Sequence, residues 1–565
     1  MTDKLPPVPA AADADDAPAD PARRKLLGGM ALAGAALAVG GGQVVAADGG
    51  HARSASDRAL DAALRKHIRH VVVIYAENRS FNNLFGDFPG LAQPLSALAP
   101  EQYRQRDRDG RVLETLPPIW HGLIPHKQVL YGREYQIGEE AIHGLANAPF
   151  ALVTPEGEPL PQALVTRDLI HSFYNNQLQI NGGRNDGFVA WGDSGALVMG
   201  RYGDSADKLA LWQLAKQFTL CDNFFMGAFG GSFLNHHYLI AAQAPYFPHA
   251  DQGPAKFQIT ELEGDDPTGI RPKLAEDSPA SAMQGRPKFA SRMALTPDFW
   301  AVNTMGPPYA PAFTDDPKNP LLADPADPST LPPQSHATIG DRLSAKGIDW
   351  AWYAGGWQLA LDGKGVRGTR DSFPYAPNFQ IHHQPFNYFE AFAPGTRARA
   401  QHLRDGGTGS TAATSRFIAD IERGTLPAVA FYKPQGDLNM HAGYSDVSAG
   451  DAHIVQIIEA LQKSPLWPHT MVVITVDENG GWWDHVAPPR GDRWGPGTRI
   501  PALVVSPHAK RGHVDHTIYD TGSVQRFINR RFGLDPLPGI ALRDKAMRDA
   551  GGPPPGDLTN ALQFG

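Results

Sequence analysis

The sequence predicts an α/β fold built on a mostly parallel sheet flanked by helices and long loop insertions, and three observations predict it. Segments with helical spacing alternate with short apolar runs, as in chains whose helices cover both faces of a sheet. Two of the runs, Val71–Ile74 and Met471–Val476, are β-branched and uninterrupted, the pattern of strands buried on both faces. The 565 residues are 42% hydrophobic, enough for a large core, and their 50 prolines and 59 glycines indicate many shaped connections.

The elements follow in order. Leu209–Gln217 has helical spacing and leads into Phe218–Cys221, and Ala337–Lys346 leads through Gly347 into Ile348–Tyr353. Thr414–Gly424 precedes Ala428–Tyr432, and Ala452–Gln462 precedes the run ending at Val476. Ala502–Ser506 supplies another strand and Ser523–Arg530 a last helix. Gly/Pro-rich spans near 86–118, 251–335 and 362–380 read as insertions. The resulting organisation is a leader over 1–50, a flexible or helical lead-in over 51–67, one large domain over 68–540 and a tail over 541–565.

The leader has the order of a twin-arginine export signal: Arg23-Arg24, a weakly apolar Gly/Ala/Leu stretch to about Gly42, then small residues at Val44–Ala47. The twin-arginine export machinery is therefore an expected partner, and the expected location is periplasmic or secreted. No later segment reads as a transmembrane anchor for the mature protein. Cys221 is the only cysteine, so no internal disulfide supports the fold. A net charge of −8 without a Lys/Arg-rich block argues against nucleic acid as a partner.

Each β-branched run ends in paired polar residues, Glu77-Asn78 and Asp477-Glu478. Ligands of open α/β sheets collect just beyond the carboxyl ends of strands, so the four side chains are expected to converge there. All offer oxygen, which suits a hard cation. Taken singly, either pair would pass for ordinary loop residues. The motifs behind them, Arg79–Gly86 and Asn479–Val486, are denser in polar and aromatic side chains than a connector requires.

Gly227–Gly231 is a glycine-rich turn entering a helix at Ser232, where a hydroxyl meets the positive end of the helix dipole. A plain helix cap would explain Ser232 as well, but a cap does not need the open backbone approach that the glycines provide. Asn235, one turn on, is a candidate donor to an anionic oxygen. His171, His382, His383 and His441 sit outside the periodic segments, as either ligand-facing or structural histidines. Asp186, Asp484 and His485 are candidates for supporting the ligands or for a separate cation site.

Together, Glu77–Phe81 through Gly86, Asn181–Phe188, Gly231-Ser232 with Asn235, His382–Phe386, and Asp477–Gly481 with Asp484-His485 resemble, in one order over roughly residues 68 to 535, the phosphoesterase family of bacterial phospholipases C and related acid phosphatases. The resemblance implies an alkaline-phosphatase-like core and phosphoryl transfer through a phosphoserine. It implies one divalent or transition metal ion (Ca, Mg, Mn or Fe) held by Glu77, Asn78, Asp477, Glu478 and Ser232, and phosphate surrounded by His171, His382, His383 and His441, with Asn235 nearby. His383 or His441 would protonate the leaving group, and a protonated cluster predicts an acidic optimum. Phe431–Tyr444 looks closer to the acid-phosphatase branch, so phosphomonoesters are the expected substrates. A phospholipase C acting on phospholipid headgroups is the alternative, favoured if Trp482, Trp483, Trp494 and Phe386 form an accessible apolar rim; a protein that binds phosphate without turnover is another.

Overall fold

The computed structural model describes residues 54–363 and 377–564. The twin-arginine segment and most of the 362–380 insertion lie outside these residues. Eight strands form the central sheet: β1 (His70–Ala76), β2 (Thr219–Cys221), β3 (Trp350–Gly355), β4 (Leu403–Gly407), β5 (Val429–Lys433), β6 (Thr470–Val476), β7 (Ala502–Val505) and β8 (His513–Asp515). Their order is β4-β3-β5-β1-β6-β7-β2-β8, and every neighbouring pair is parallel except the two made by β7. The sheet is mostly parallel, as the alternating pattern predicts.

The centre of the sheet explains the two apolar runs. Strand β6 is buried along its whole length and β1 along all but its first residue, so neither has a face that tolerates polar side chains. Their register pairs Val72 with Val472 and Ala76 with Val476. Strand β5 flanks β1 on the other side, with Ile74 opposite Tyr432. Glu77, Asp477 and Lys433 therefore emerge side by side at one end of three adjacent strands.

Helices cover the sheet at the predicted places: α1 (Ala55–His67), α2 (Ala210–Gln217), α3 (Ser232–Ala241), α4 (Ile339–Ala345), α5 (Arg416–Glu422), α6 (Val447–Lys463) and α7 (Gly522–Phe532). Local chemistry fixes several starts: the side chains of Thr338, Ser415 and Asp446 accept backbone N–H groups at the first turns of α4, α5 and α6. The lead-in expected over 51–67 contains α1. The insertion at 251–335 is mainly short 3₁₀ turns and loop, with a small hairpin at Asp315–Ala323.

Residues 541–565 differ from the tail expected there. The domain boundary placed at 540 falls inside a helix, α8 (Pro538–Asp549). Its fully buried Arg543 donates to Asp520 Oδ2 at 2.9 Å, to Asp492 Oδ2 at 2.8 Å and to the Gly227 carbonyl at 2.8 Å. The helix is thereby tied to the glycine-rich loop before Ser232. Its mixed composition, Pro538–Asp549 with five charged side chains, hides this role in the sequence.

Removing Arg543 leaves the part-buried Asp492 without its cation and the buried Asp520 with Arg526 alone. Arg543→Ala should lower stability by roughly 3–5 kcal/mol, read from chemical denaturation. Burial holds His453, between Ser410 Oγ and the Tyr432 hydroxyl, at a pKa of about 4 against the ordinary 6.5. The unfolded chain takes up this proton below pH 6.5 and the folded chain does not until about 4, so stability is lost as pH falls through that window. By pH 4 the loss reaches roughly 3 kcal/mol, and His453→Gln should flatten the slope of unfolding free energy against pH over the same range.

Candidate active site

Two loops and one helix start converge where β1, β5 and β6 end. Glu77 and Asn78 follow β1, Asp477 and Glu478 follow β6, and all four are fully buried. The Asp477 amide donates to the Ala76 carbonyl at 3.2 Å, carrying the pairing one residue past the strands. The turn behind Glu478 depends on Gly480, whose φ is +59° and where a Cβ would stand 2.3 Å from the Asn78 carbonyl. Its amide donates to Glu478 Oε2 at 2.5 Å, which aims the carboxylate inward.

Ser232 begins α3 at the edge of this acidic pocket. Its Oγ lies 3.1 Å from Glu77 Oε2 and 3.3 Å from Glu478 Oε1, so its single proton serves one of them. The loop before it packs against the chain carrying His171; Gly230, at φ +91°, would place a Cβ 2.5 Å from the Phe173 amide. Asn235 is fully buried beneath that loop. Its Oδ1 accepts from the Ala228 amide at 2.9 Å, and its Nδ2 donates to the Ala228 and Gly231 carbonyls at 3.1 and 3.2 Å. It positions the loop before Ser232 and has no polar group left to face a substrate anion.

A cleft of about 640 Å³ opens over Ser232 and is lined by His171, His382 and His441, with Asp168, Gln380 and Tyr444 farther out. The histidine cluster divides into two roles. His383 lies outside the lining; fully buried, its Nε2 reaches Glu77 Oε1 at 2.9 Å. It braces Glu77 from the interior and does not face the cleft, so it is poorly placed for the proton donation expected of it. His171 Nε2 stands 3.6 Å from Glu478 Oε1, and its Nδ1 meets the Leu169 carbonyl at 2.5 Å and Asp168 at 3.8 Å. Burial opposes its charge, but Glu478, Asp168 and the carbonyl outweigh burial and raise its pKa to about 9. Burial lowers the pKa of His382, of His441 and of His383, the last to about 4. A fully protonated cluster is therefore reached only in acid.

Lys433 and His236 join the site although the motifs do not announce them. The fully buried Lys433 ammonium pairs with Glu77 Oε1 and lies 3.3 Å from the Ala76 carbonyl. His236, one turn after Ser232, contacts the Ser232 carbonyl at 2.7 Å and lies 3.7 Å from Asp477 Oδ2. The only sequence signal for Lys433 is a lone cation closing an apolar run, and for His236 the four-residue spacing.

The donor set fits a metal ion. Asn78 Oδ1 and Asp477 Oδ2 are buried and have no hydrogen-bond donor, a costly arrangement that a cation would relieve. Glu77 and Asp477, with His236, bring ligand atoms within 4.8 Å of one another. Burial opposes the charge of Glu77, but Lys433 and His383 hold its carboxyl well below the usual range. Burial together with the Glu77 charge pushes Asp477 well up, and burial raises Glu478 to about 7. Carboxylates this close cannot all ionise without a further positive charge. Glu77, Asn78, Asp477, Glu478 and Ser232 would hold that ion.

The remaining candidates belong to the supporting frame. Asp484 accepts from the Asn82 amide at 3.0 Å and from Arg499 Nε at 3.0 Å, and His485 Nδ1 contacts Asn82 Oδ1 at 3.0 Å. They fasten the loop after β6 to the loop after β1, and Arg499 is the cation that Asp484 already has. Asp186 accepts from Asn181 Nδ2 at 2.6 Å and Arg106 Nε at 3.0 Å, bracing an outer loop.

Phospholipase C B of Mycobacterium tuberculosis is 31% identical over 173 residues, covering 26% of this chain and 32% of that protein. The non-hemolytic phospholipase C of Pseudomonas aeruginosa is 27% identical over 259 residues, 40% of this chain and 33% of that protein. The chain thus spans about a third of the length of these relatives. A solved alkaline phosphatase superfamily protein from Vibrio parahaemolyticus overlaps 62% of this chain and 64% of its own at 11% identity, with a TM-score of 0.27. At that score the overlap carries no argument, and the fold rests on the sheet itself. The model of the phosphoesterase family matches residues 68–535, from the start of β1 past the last strand, and the chain that builds this acidic pocket and histidine-lined cleft belongs to the phosphoesterase family.

Proposed function

We propose that the protein is an exported, metal-dependent acid phosphatase that hydrolyses phosphomonoesters through a phosphoserine. One observation carries the reading: the Ser232 hydroxyl opens onto a histidine-lined cleft with Glu77 and Glu478 oxygens directly behind it. Ser232 Oγ passes its proton to one of those carboxylates and bonds to phosphorus as the bond to the leaving oxygen breaks. His171 and His382 face the phosphoryl oxygens, and His441, whose ring lies 5.4 Å from that of His171, gives the leaving oxygen its proton. Water then attacks the phosphoserine, releasing phosphate and restoring the hydroxyl. When bound, the metal ion supplies a Lewis acid that favours the serine alkoxide and offsets charge on the phosphoryl oxygens.

The walls of the cleft support small phosphorylated substrates. The apolar rim that would favour lipid is not built as such: Trp482, Trp483 and Phe386 are core residues, and the half-buried Trp494 packs on Trp300 and Phe173. Among the described residues no helix is long and apolar enough to cross a membrane. The second reading, a phospholipase C, is favoured by the names of the relatives.

Hydrolysis of para-nitrophenyl phosphate beside para-nitrophenyl phosphorylcholine, with and without chelator, tests the proposal. Serine-dependent, chelator-sensitive cleavage of the monoester is expected, with Ser232→Ala slower by roughly 10³-fold or more. Preference for the diester would transfer the protein to the lipase reading, and a folded, metal-loaded wild type inert on both would leave a binding protein. Metal affinity should depend on pH with a definite sign. Protons compete for Asp477 and for Glu478, the latter near pH 7, so calorimetry should show divalent affinity falling as pH drops through about 7.

A further inference from the structure

Lys433 is unusual among the groups around the acidic pocket because it brings a charge and no ligand atom. Its side chain is fully buried at the end of β5, its ammonium pairs with Glu77 Oε1, and its Nζ lies over the Tyr75 ring, 5.7 Å from the ring centroid. Among the described residues, no other lysine or arginine pairs with Glu77, Asp477 or Glu478; their remaining partners in ion-pair range are His171, His236, His383 and His441. The nearby buried Arg79 turns away, with Nε and Nη2 on the Met440 carbonyl at 3.0 and 2.8 Å.

We propose that Lys433 is a positioning residue that sets the charge of the metal pocket and so selects a divalent over a trivalent cation. Three carboxylates meet one buried ammonium here, with the His171 ring 3.6 Å from Glu478 on the cleft side, so removing the ammonium adds a full unit of negative charge to the pocket. With Lys433 and His383 both on Oε1, Glu77 has only Oε2, the oxygen beside Ser232, to give to an ion. The lysine therefore also prevents this carboxylate from gripping a cation with both oxygens, the mode that larger and more highly charged ions exploit. Without the ammonium the pocket gains one uncompensated negative charge and Glu77 Oε1 keeps only its His383 contact, and both changes favour a trivalent ion. The inference rests on the metal-dependent reading of the site.

The test compares Mn²⁺ and Tb³⁺ binding to metal-stripped protein by calorimetry, with tryptophan-sensitised Tb³⁺ luminescence as a second readout. In Lys433→Met the ratio of Tb³⁺ to Mn²⁺ affinity should rise by about tenfold or more, as expected for one unit charge removed within a few ångströms. Lys433→Arg, which keeps the charge, should retain the wild-type ratio. The double variant Lys433→Met/Glu77→Gln restores the wild-type net charge without the lysine, and its ratio should return to within about threefold of wild type. An unchanged ratio in folded Lys433→Met overturns the proposal, as does a tenfold shift in Lys433→Arg. If Lys433→Met does not fold, the double variant decides: a ratio far from wild type overturns the proposal and a wild-type ratio upholds it. A wild-type protein that binds neither cation defeats the metal reading itself, and this inference with it.

Discussion

The structure turns on the crowding of three carboxylates in a pocket closed to water. Glu77, Asp477 and Glu478 repel one another and lack solvent to screen the repulsion, and a single buried ammonium faces them. Such a pocket survives only if the rest of the molecule holds it. The central sheet supplies the rigidity, because β1 and β6 pair over seven residues and deliver Glu77 and Asp477 at matching positions. A slip of one residue in that register would turn one side chain into the opposite face of the sheet.

The loops beyond the strands are held by cross-links that have no chemical role of their own. Asp484, Asn82 and Arg499 join the two acidic motifs across some four hundred residues of sequence. Asn235 and Arg543 hold the glycine-rich loop from two sides, one from within α3 and one from the C-terminal helix. Holding reactive groups at fixed separations in this way is what allows an oxygen-rich pocket to act on an ion or a phosphoryl group without reorganising at each turnover.

The histidines show how one residue type takes different work from its surroundings. His171 lies between two acidic groups and keeps its proton, whereas His383 reaches the same pocket from the interior and serves as a support for Glu77. His236 shares the interior side with His383, and the two rings stack 5.6 Å apart. Nothing in the local sequence of His382-His383 separates the residue that lines the cleft from the one that does not. The difference arises from which side of the Glu77 carboxylate each ring approaches.

The sequence by itself determined the class of fold, the mostly parallel sheet and the two acidic strand ends, because burial on both faces leaves a continuous apolar run that few other structures produce. It also placed Ser232 at the start of a helix behind a glycine-rich turn, since that is a local pattern. Only the tertiary structure decided what depends on approach between distant segments. That Asn235 belongs to the loop, that His383 stands behind Glu77, that Lys433 is the pocket's buried ammonium and that residues 538–549 form a packed helix are all consequences of contacts across long separations. Periodicity reports which face of an element is buried; which charge meets which is set by strand order and register, and no window of sequence contains both partners.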